Sequence, residues 1–157
     1  MIKSETEKNR TLEILSGIKK NQNHILIALN ESGIDDAQTK ELILGQTSAI
    51  SIDLENQLAL YEALKNGDVT PLKTLTPGQK LIAMRILKGM SQSEVAARLK
   101  VTQASVNKDE RNEYSGASFE KLTRVAAAMG CQIEVNFHEI SMNPHKPRRN
   151  RKDRHVG

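Results

Sequence analysis

The stretch from residue 91 to residue 111 limits the fold of this chain more than any other. Ser91 followed by Glu94 is a capping box, which marks the start of a helix. A stripe of apolar residues at helical spacing comes next and ends at Leu99. Thr102 lies only a short step beyond and is placed to cap a second helix. Two short helices joined by so tight a connection are predicted to form a helix-turn-helix.

The second helix of this unit carries side chains that suit the reading of DNA. In a helix-turn-helix the second helix enters the major groove with its N-terminal residues leading. Gln and Asn pair with adenine, Ser meets several base edges, and Lys reaches guanine or phosphate. An ordinary helical hairpin is the alternative, because capping boxes occur in all helical proteins. The residues predicted to face bases are Gln103, Ala104, Ser105, Asn107 and Lys108.

Residues 76–130 include, in this order, Arg85, G-M-S-Q at 89–92, V-A at 95–96, V-T-Q at 101–103, Val106 and Glu110. This order of residues resembles the Cro/repressor-type (XRE) helix-turn-helix family. The resemblance implies a lambda-repressor-like fold, with double-stranded operator DNA as the partner. The phrase Y-E-A-L-K-N-G at 61–67 also resembles the leader of an antitoxin-like or phage-type subset with a helical N-terminal extension.

The resemblance also implies roles for particular residues. Gln92 is expected to contact phosphate and to pair with Gln103. Arg85 and Glu110 are expected to form a structural pair that ties the preceding helix to the second motif helix. One departure is Lys100, which stands where the family usually has glycine in the turn, and a non-glycine residue at positive φ costs about 1 kcal/mol.

A second group of residues is predicted to contact phosphates, which position a protein on DNA without specifying the sequence. Two of them, Arg111 and Tyr114, belong to the polar stretch after the second motif helix. For Tyr114, packing within that loop is the alternative. The full set is Ser91, Gln92, Thr102, Arg111 and Tyr114.

Residues 1–67 are predicted to form an antiparallel helical hairpin for oligomerisation or partner binding. Asp35 with Gln38 is a candidate cap for its second helix, expected from about 36 to 65, and Gly67 is the expected stop. The stripes of the two helices can pack on each other, on a symmetry mate or on a different protein. The first helix shows coiled-coil spacing at Leu15, Ile18, Gln22, Ile25 and Leu29.

Two further segments flank the predicted DNA-binding domain at 76–130. Residues 68–75 are predicted to be a linker whose apolar alternation would permit a short strand. Residues 131–140 alternate between apolar and polar and predict one β-strand, with Ile133, Val135 and Phe137 on its apolar side. A strand needs a hydrogen-bonding partner, which is either the same strand of a second subunit or the short strand that the linker permits. We expect a homodimer built by this strand, the hairpin or both, reading half-sites about 34 Å apart.

Charge is distributed unevenly along the chain. The net charge is −3 over residues 1–75, +2 over 76–144 and +5 over 145–157, which together give the overall +4. The basic segment 141–157 is predicted to be a disordered tail that binds phosphates or a minor groove, with a purely solubilising tail as the alternative. Its predicted DNA contacts are Lys146, Arg148, Arg149, Arg151, Lys152 and Arg154.

Composition excludes several other classes of protein. The single cysteine, Cys131, rules out an internal disulfide framework and a Cys-rich metal site. No cofactor is expected, and no nucleophile, base or metal cluster has the spacing of an enzyme site. No stretch has the length of a membrane span, and no signal peptide opens the chain. We therefore expect a cytoplasmic protein, associated with the nucleoid through DNA.

Taken together, these features predict a mainly α protein with one C-terminal strand. The predicted function is a sequence-specific transcriptional regulator, a dimeric autorepressor of antitoxin or phage type. The alternative is an interaction or assembly module in which the helix-turn-helix is a scaffold. A toxin-neutralising antitoxin that acts through its N-terminal half is one form of that alternative, with a cognate toxin as the protein partner.

Overall fold

The computed structural model describes residues 1–136, and every regular element in that range is helical. The mainly α fold with a helix-turn-helix domain is thereby confirmed. Among the helices of residues 1–136, none combines the length and apolar character that crossing a bilayer requires. The elements are α1 (Glu5–Glu31), α2 (Ala37–Lys65), a 3-10 helix (Thr70–Lys73), α3 (Pro77–Leu87), α4 (Gln92–Leu99), α5 (Gln103–Arg111) and α6 (Phe119–Ala128).

Helices α1 and α2 form the predicted antiparallel hairpin. Across their interface, the Gln22 amide donates a hydrogen bond of 3.0 Å to the Thr47 hydroxyl. The cap of α2 differs from the prediction by one residue, because Asp36 accepts the backbone N–H groups of the first turn. Asp35 instead pairs with Lys40 at 2.8 Å.

The base of the hairpin shares one core with the helices that follow. Tyr61, Leu64 and Ile2 are buried in the same cluster as Ile82 of α3. The Tyr61 hydroxyl donates to Glu5 at 3.1 Å, and burial together with this carboxylate raises the pKa of Tyr61 to about 12. Residues 1–67 and the helix-turn-helix segment are therefore joined through a common apolar interior and not through the linker alone.

Helix α3 begins as its sequence predicts. Thr76 and Gln79 form both halves of a capping box, with proline in the first turn. Gly78 in this turn lies directly against the loop after α5, so that a Cβ there would come within 1.9 Å of the Glu113 carbonyl oxygen. This close approach brings α3 against the end of the helix that is predicted to read DNA.

The linker contains a turn of 3-10 helix where the sequence would permit a short strand. Pro71 occupies its first turn, and the Asp68 side chain accepts the Thr70 N–H at 2.8 Å. A local side-chain cap together with the fixed φ of proline favours a tight turn over an extended chain.

Residues 131–136 contain no strand in the structure, so the strand predicted for 131–140 stays a prediction. Ile133 packs partly buried against the core, whereas Val135 is 52% exposed. No strand runs alongside this stretch within residues 1–136 to accept its backbone hydrogen bonds. Phe137 and the predicted tail contacts Lys146, Arg148, Arg149, Arg151, Lys152 and Arg154 lie outside the described residues.

Candidate nucleic-acid interface

Helices α4 and α5 form the helix-turn-helix, and both are capped by their own sequence. The Ser91 hydroxyl accepts the Glu94 N–H at 3.1 Å, while the Glu94 carboxylate accepts the Ser91 N–H at 2.6 Å. The Thr102 hydroxyl accepts the Ser105 N–H at 3.2 Å and so opens α5.

The turn between these helices depends on Lys100. This residue adopts the left-handed conformation, with φ 57° and ψ 41°, and ends α4. The departure from glycine noted in the sequence therefore falls on a residue that does have positive φ. Residues other than glycine are strained in this backbone conformation.

Replacing Lys100 with glycine is expected to stabilise the protein by about 0.5–1 kcal/mol. Glycine removes about 1–2 kcal/mol of backbone strain from the folded state. Its greater conformational freedom in the unfolded chain offsets about 0.4–1 kcal/mol of that gain. Urea unfolding followed by circular dichroism measures the change. Lys100→Ala is the control, because it removes the charge and keeps the strain; equal stability of the two variants would contradict the strain argument.

One side of α5 is buried and the opposite side faces solvent. Val106 and Glu110 are 2% and 1% exposed and fasten the helix to the core. Among the predicted base contacts, Asn107 is half-buried near the border between the two sides. The Ser105 hydroxyl lies 2.9 Å from the Thr102 hydroxyl and shares in the cap. The predicted base contacts that are fully on the exposed side are Gln103, Ala104, Ser105 and Lys108.

The structure pairs Arg85 with Glu110, as the resemblance implied. The guanidinium donates two hydrogen bonds to the carboxylate, at 2.6 and 2.8 Å, and both residues are almost fully buried. Arg85 donates two more, to the backbone carbonyls of Met90 and Lys3. The pair therefore ties α3, α5, the start of α4 and the N-terminal segment together.

Gln92 also binds this pair, which corrects the predicted partner of its side chain. Its amide donates to Glu110 at 2.9 Å instead of pairing with Gln103. A carboxylate is a stronger acceptor than an amide oxygen, and Glu110 is held in reach by Arg85. Because a carboxylate accepts only, the Gln92 nitrogen must face Glu110, and its second N–H remains available to a phosphate.

The two loop residues predicted to contact phosphate differ in accessibility. Arg111 is exposed at the end of α5. Tyr114 is 6% exposed and belongs to the apolar core, and burial beside Glu110 and Asp109 raises its pKa. Packing, the alternative for Tyr114, is therefore the role that its surroundings support, and the phosphate role predicted for it is not favoured.

A cleft of about 320 Å³ lies beside the starts of α4 and α5, where Gln92 and Gln103 both line it. Lys3 and Lys65 from the hairpin segment line the same cleft. Lys65 also reaches Glu5 at 3.5 Å. The sequence did not indicate that these lysines lie near the motif, because only the shared core brings the hairpin base next to it.

Comparison with known proteins agrees with this geometry. A family model described as helix-turn-helix matches residues 81–136, from α3 through the end of the described chain. No curated protein and no solved structure gives a significant match. The match covers the capped α4–α5 unit, the Arg85–Glu110 pair and the exposed side of α5. Residues 81–136 thus form a helix-turn-helix domain, as found in DNA-binding regulators.

Proposed function

We propose that this protein is a dimeric transcriptional repressor that reads an operator through α5. The observation that carries the proposal is the division of α5 into a buried side and an exposed polar side that begins with Gln103. A helix held this rigidly can present its N-terminal side chains to the major groove. A repressor acts by occupying its operator, which needs no further domain.

The phosphate contacts proposed for this complex surround the same helix. Ser91, Gln92 and Thr102 lie at the starts of α4 and α5, where backbone N–H groups favour an anion. Arg111 lies at the other end of α5. We propose that the basic tail after residue 144 adds affinity that depends on salt and not on sequence.

Replacing both Gln103 and Asn107 with alanine is expected to weaken binding to a specific site about 30-fold or more. Each bidentate contact to adenine contributes at least about 1 kcal/mol of discrimination. Binding to unrelated duplex DNA should change little, because phosphate contacts remain. Fluorescence anisotropy with DNA from the region upstream of the gene, across a salt series, measures both affinities.

The matched control is the double variant Gln46→Ala, Asn56→Ala, which removes the same side-chain types from exposed positions of α2. It should bind like the wild type. If the α5 variant also kept full discrimination, base readout by this helix would be excluded. Binding of every variant to any duplex with equal affinity would leave only the charge of the domain and tail as the source of binding.

A second candidate is an antitoxin whose N-terminal half engages a toxin and whose helix-turn-helix domain represses its own gene. It is favoured by the aliphatic side chains that the hairpin exposes, such as Leu42, which is 84% exposed. Purification of the tagged protein from its native host tests this version. Recovery without any stoichiometric protein partner would contradict it and leave the repressor proposal intact.

A further inference from the structure

The hairpin has an inner seam with a seven-residue repeat. The seam residues are buried or half-buried, and they are Leu15, Gln22 and Leu29 of α1 with Leu44, Ser51 and Leu58 of α2. Part of this seam is polar, and the buried Ser51 hydroxyl has no hydrogen-bond partner among residues 1–136. A buried hydroxyl without a partner costs free energy, so this seam holds the two helices together less firmly than an all-apolar seam would.

In an antiparallel hairpin, residues that follow a seam residue by the same number of positions lie on the same side of the hairpin, whichever helix carries them. Lys19 and Glu55 demonstrate this, because each comes four residues after a seam residue and they form a salt bridge of 2.6 Å. Lys8 and Glu62 form another bridge between the two helices. Ion pairs of this kind are typical of a side that faces water.

The residues immediately before each seam residue lie on the nearly opposite side, since a helix turns about 100° per residue. None of these six carries a charge. Three are isoleucines that are half exposed, namely Ile14 at 46%, Ile43 at 44% and Ile50 at 51%. We call this surface the neutral side, and its members are Ile14, Asn21, Ala28, Ile43, Ile50 and Gln57.

The neutral side continues into a surface that the protein already buries. Leu64 lies seven residues after Gln57 on the same stripe of α2, and it is 0% exposed in the core shared with α3. Away from the helix-turn-helix domain, this stripe of α2 extends about 21 Å along the helix axis from Gln57 back to Ile43. The same side of the hairpin is therefore covered by protein at its base and bare beyond it.

We propose that a second copy of this chain covers the neutral side and forms a four-helix bundle. A symmetric dimer places the same surface against itself. The six residues of the neutral side carry no charge, and the neighbouring Asp53 carboxylate already accepts the Gln57 amide at 2.8 Å, whereas the side with the ion pairs would bring its carboxylates together. Pairing of two hairpins is also a known way to complete a bundle core. The inference rests on the proposed function in one respect, since two half-sites require two copies.

Ile50→Lys and Ile52→Lys form a matched test of this interface. Ile52 is 58% exposed and lies about 200° around α2 from Ile50. Sedimentation equilibrium of the full chain should give wild type and Ile52→Lys twice the monomer mass of 17.5 kDa. Ile50→Lys should dimerise at least tenfold more weakly. Ala28→Glu, at an exposed position, should do the same without disturbing the fold, which circular dichroism verifies.

Three outcomes would overturn the inference. A wild-type protein that is monomeric at about 100 µM would leave the neutral side to a different protein. A dimer that survives both Ile50→Lys and Ala28→Glu would place the interface elsewhere. An equal weakening of dimerisation by the Ile52→Lys control would show that the effect is not specific to the neutral side. DNA binding is measured separately from dimerisation. A monomer that still discriminates its operator would contradict only this inference. A dimer that binds no DNA would contradict only the proposed function.

Discussion

Glu110→Ala is expected to lower the free energy of unfolding by about 3–5 kcal/mol, the cost of leaving one member of a buried ion pair without its partner. The carboxylate accepts two hydrogen bonds from Arg85 and one from Gln92, and its side chain is 1% exposed. Its removal leaves a buried guanidinium and frees the Gln92 amide. Urea unfolding measures the loss, and a weaker phosphate contact should accompany it in DNA-binding assays.

The control for this variant is the neighbouring carboxylate. Asp109 pairs with Lys121 at 2.7 Å near the surface, where the aspartate side chain is 29% exposed. Asp109→Ala should cost no more than about 1 kcal/mol. Equal losses at 109 and 110 would show that the buried pair has no special weight.

The double variant Arg85→Met, Glu110→Leu distinguishes the energy of the ion pair from the energy of the other hydrogen bonds that Arg85 makes. Replacing both charges with apolar side chains avoids an unpaired charge and should recover part of the loss. Recovery should be incomplete, because the carbonyls of Met90 and Lys3 lose the donors that Arg85 provides. A double-mutant cycle gives the coupling energy between the two residues.

Gly78→Ala is the second change with a large expected effect, a destabilisation of about 1–3 kcal/mol from overpacking. Its Cβ would lie 1.9 Å from the Glu113 carbonyl oxygen and 2.9 Å from the Glu113 carbonyl carbon. Both are backbone atoms, so relief requires α3 and the loop after α5 to separate. Thermal and urea unfolding measure the effect, and a shifted loop should also alter the end of α5 and the affinity for DNA.

Whether Gly78→Ala destabilises or stabilises the protein tests the close approach of α3 to the loop after α5. Alanine is a better helix former than glycine by about 1 kcal/mol, so a helical Gly→Ala change without a clash should stabilise. Gly17 in α1 has no atom within 4 Å of such a Cβ, and Gly17→Ala is expected to stabilise the protein. Stabilisation by Gly78→Ala as well would mean that the loop is not held against α3.

The helix starts at the centre of the chain could be predicted because they are decided locally. The caps at Thr76, Ser91 and Thr102 each act on backbone groups three residues away, so the residues that make them are neighbours in the sequence. The 3-10 turn at Thr70–Lys73 was harder to predict, since a short apolar alternation suits a strand as well as a turn.

The parts of the candidate site that depend on distant residues could not be predicted in this way. The partner of Gln92 is Glu110, eighteen positions later, and nothing in the local sequence makes that acceptor better placed than Gln103. The Lys3 carbonyl reaches Arg85 across 82 positions. Such contacts form only when several helices pack at once.

The sequence by itself determined which segments form the α-helices, where the motif helices begin and which side chains α5 can offer to DNA. Caps and apolar periodicity carry this information, because they act within one or two turns of helix. Only the tertiary structure decided that the hairpin base shares the core of the helix-turn-helix domain, that Tyr114 is buried and that Gly78 must have no side chain. Those outcomes depend on how closely separate helices approach, and close packing of the whole core sets that distance.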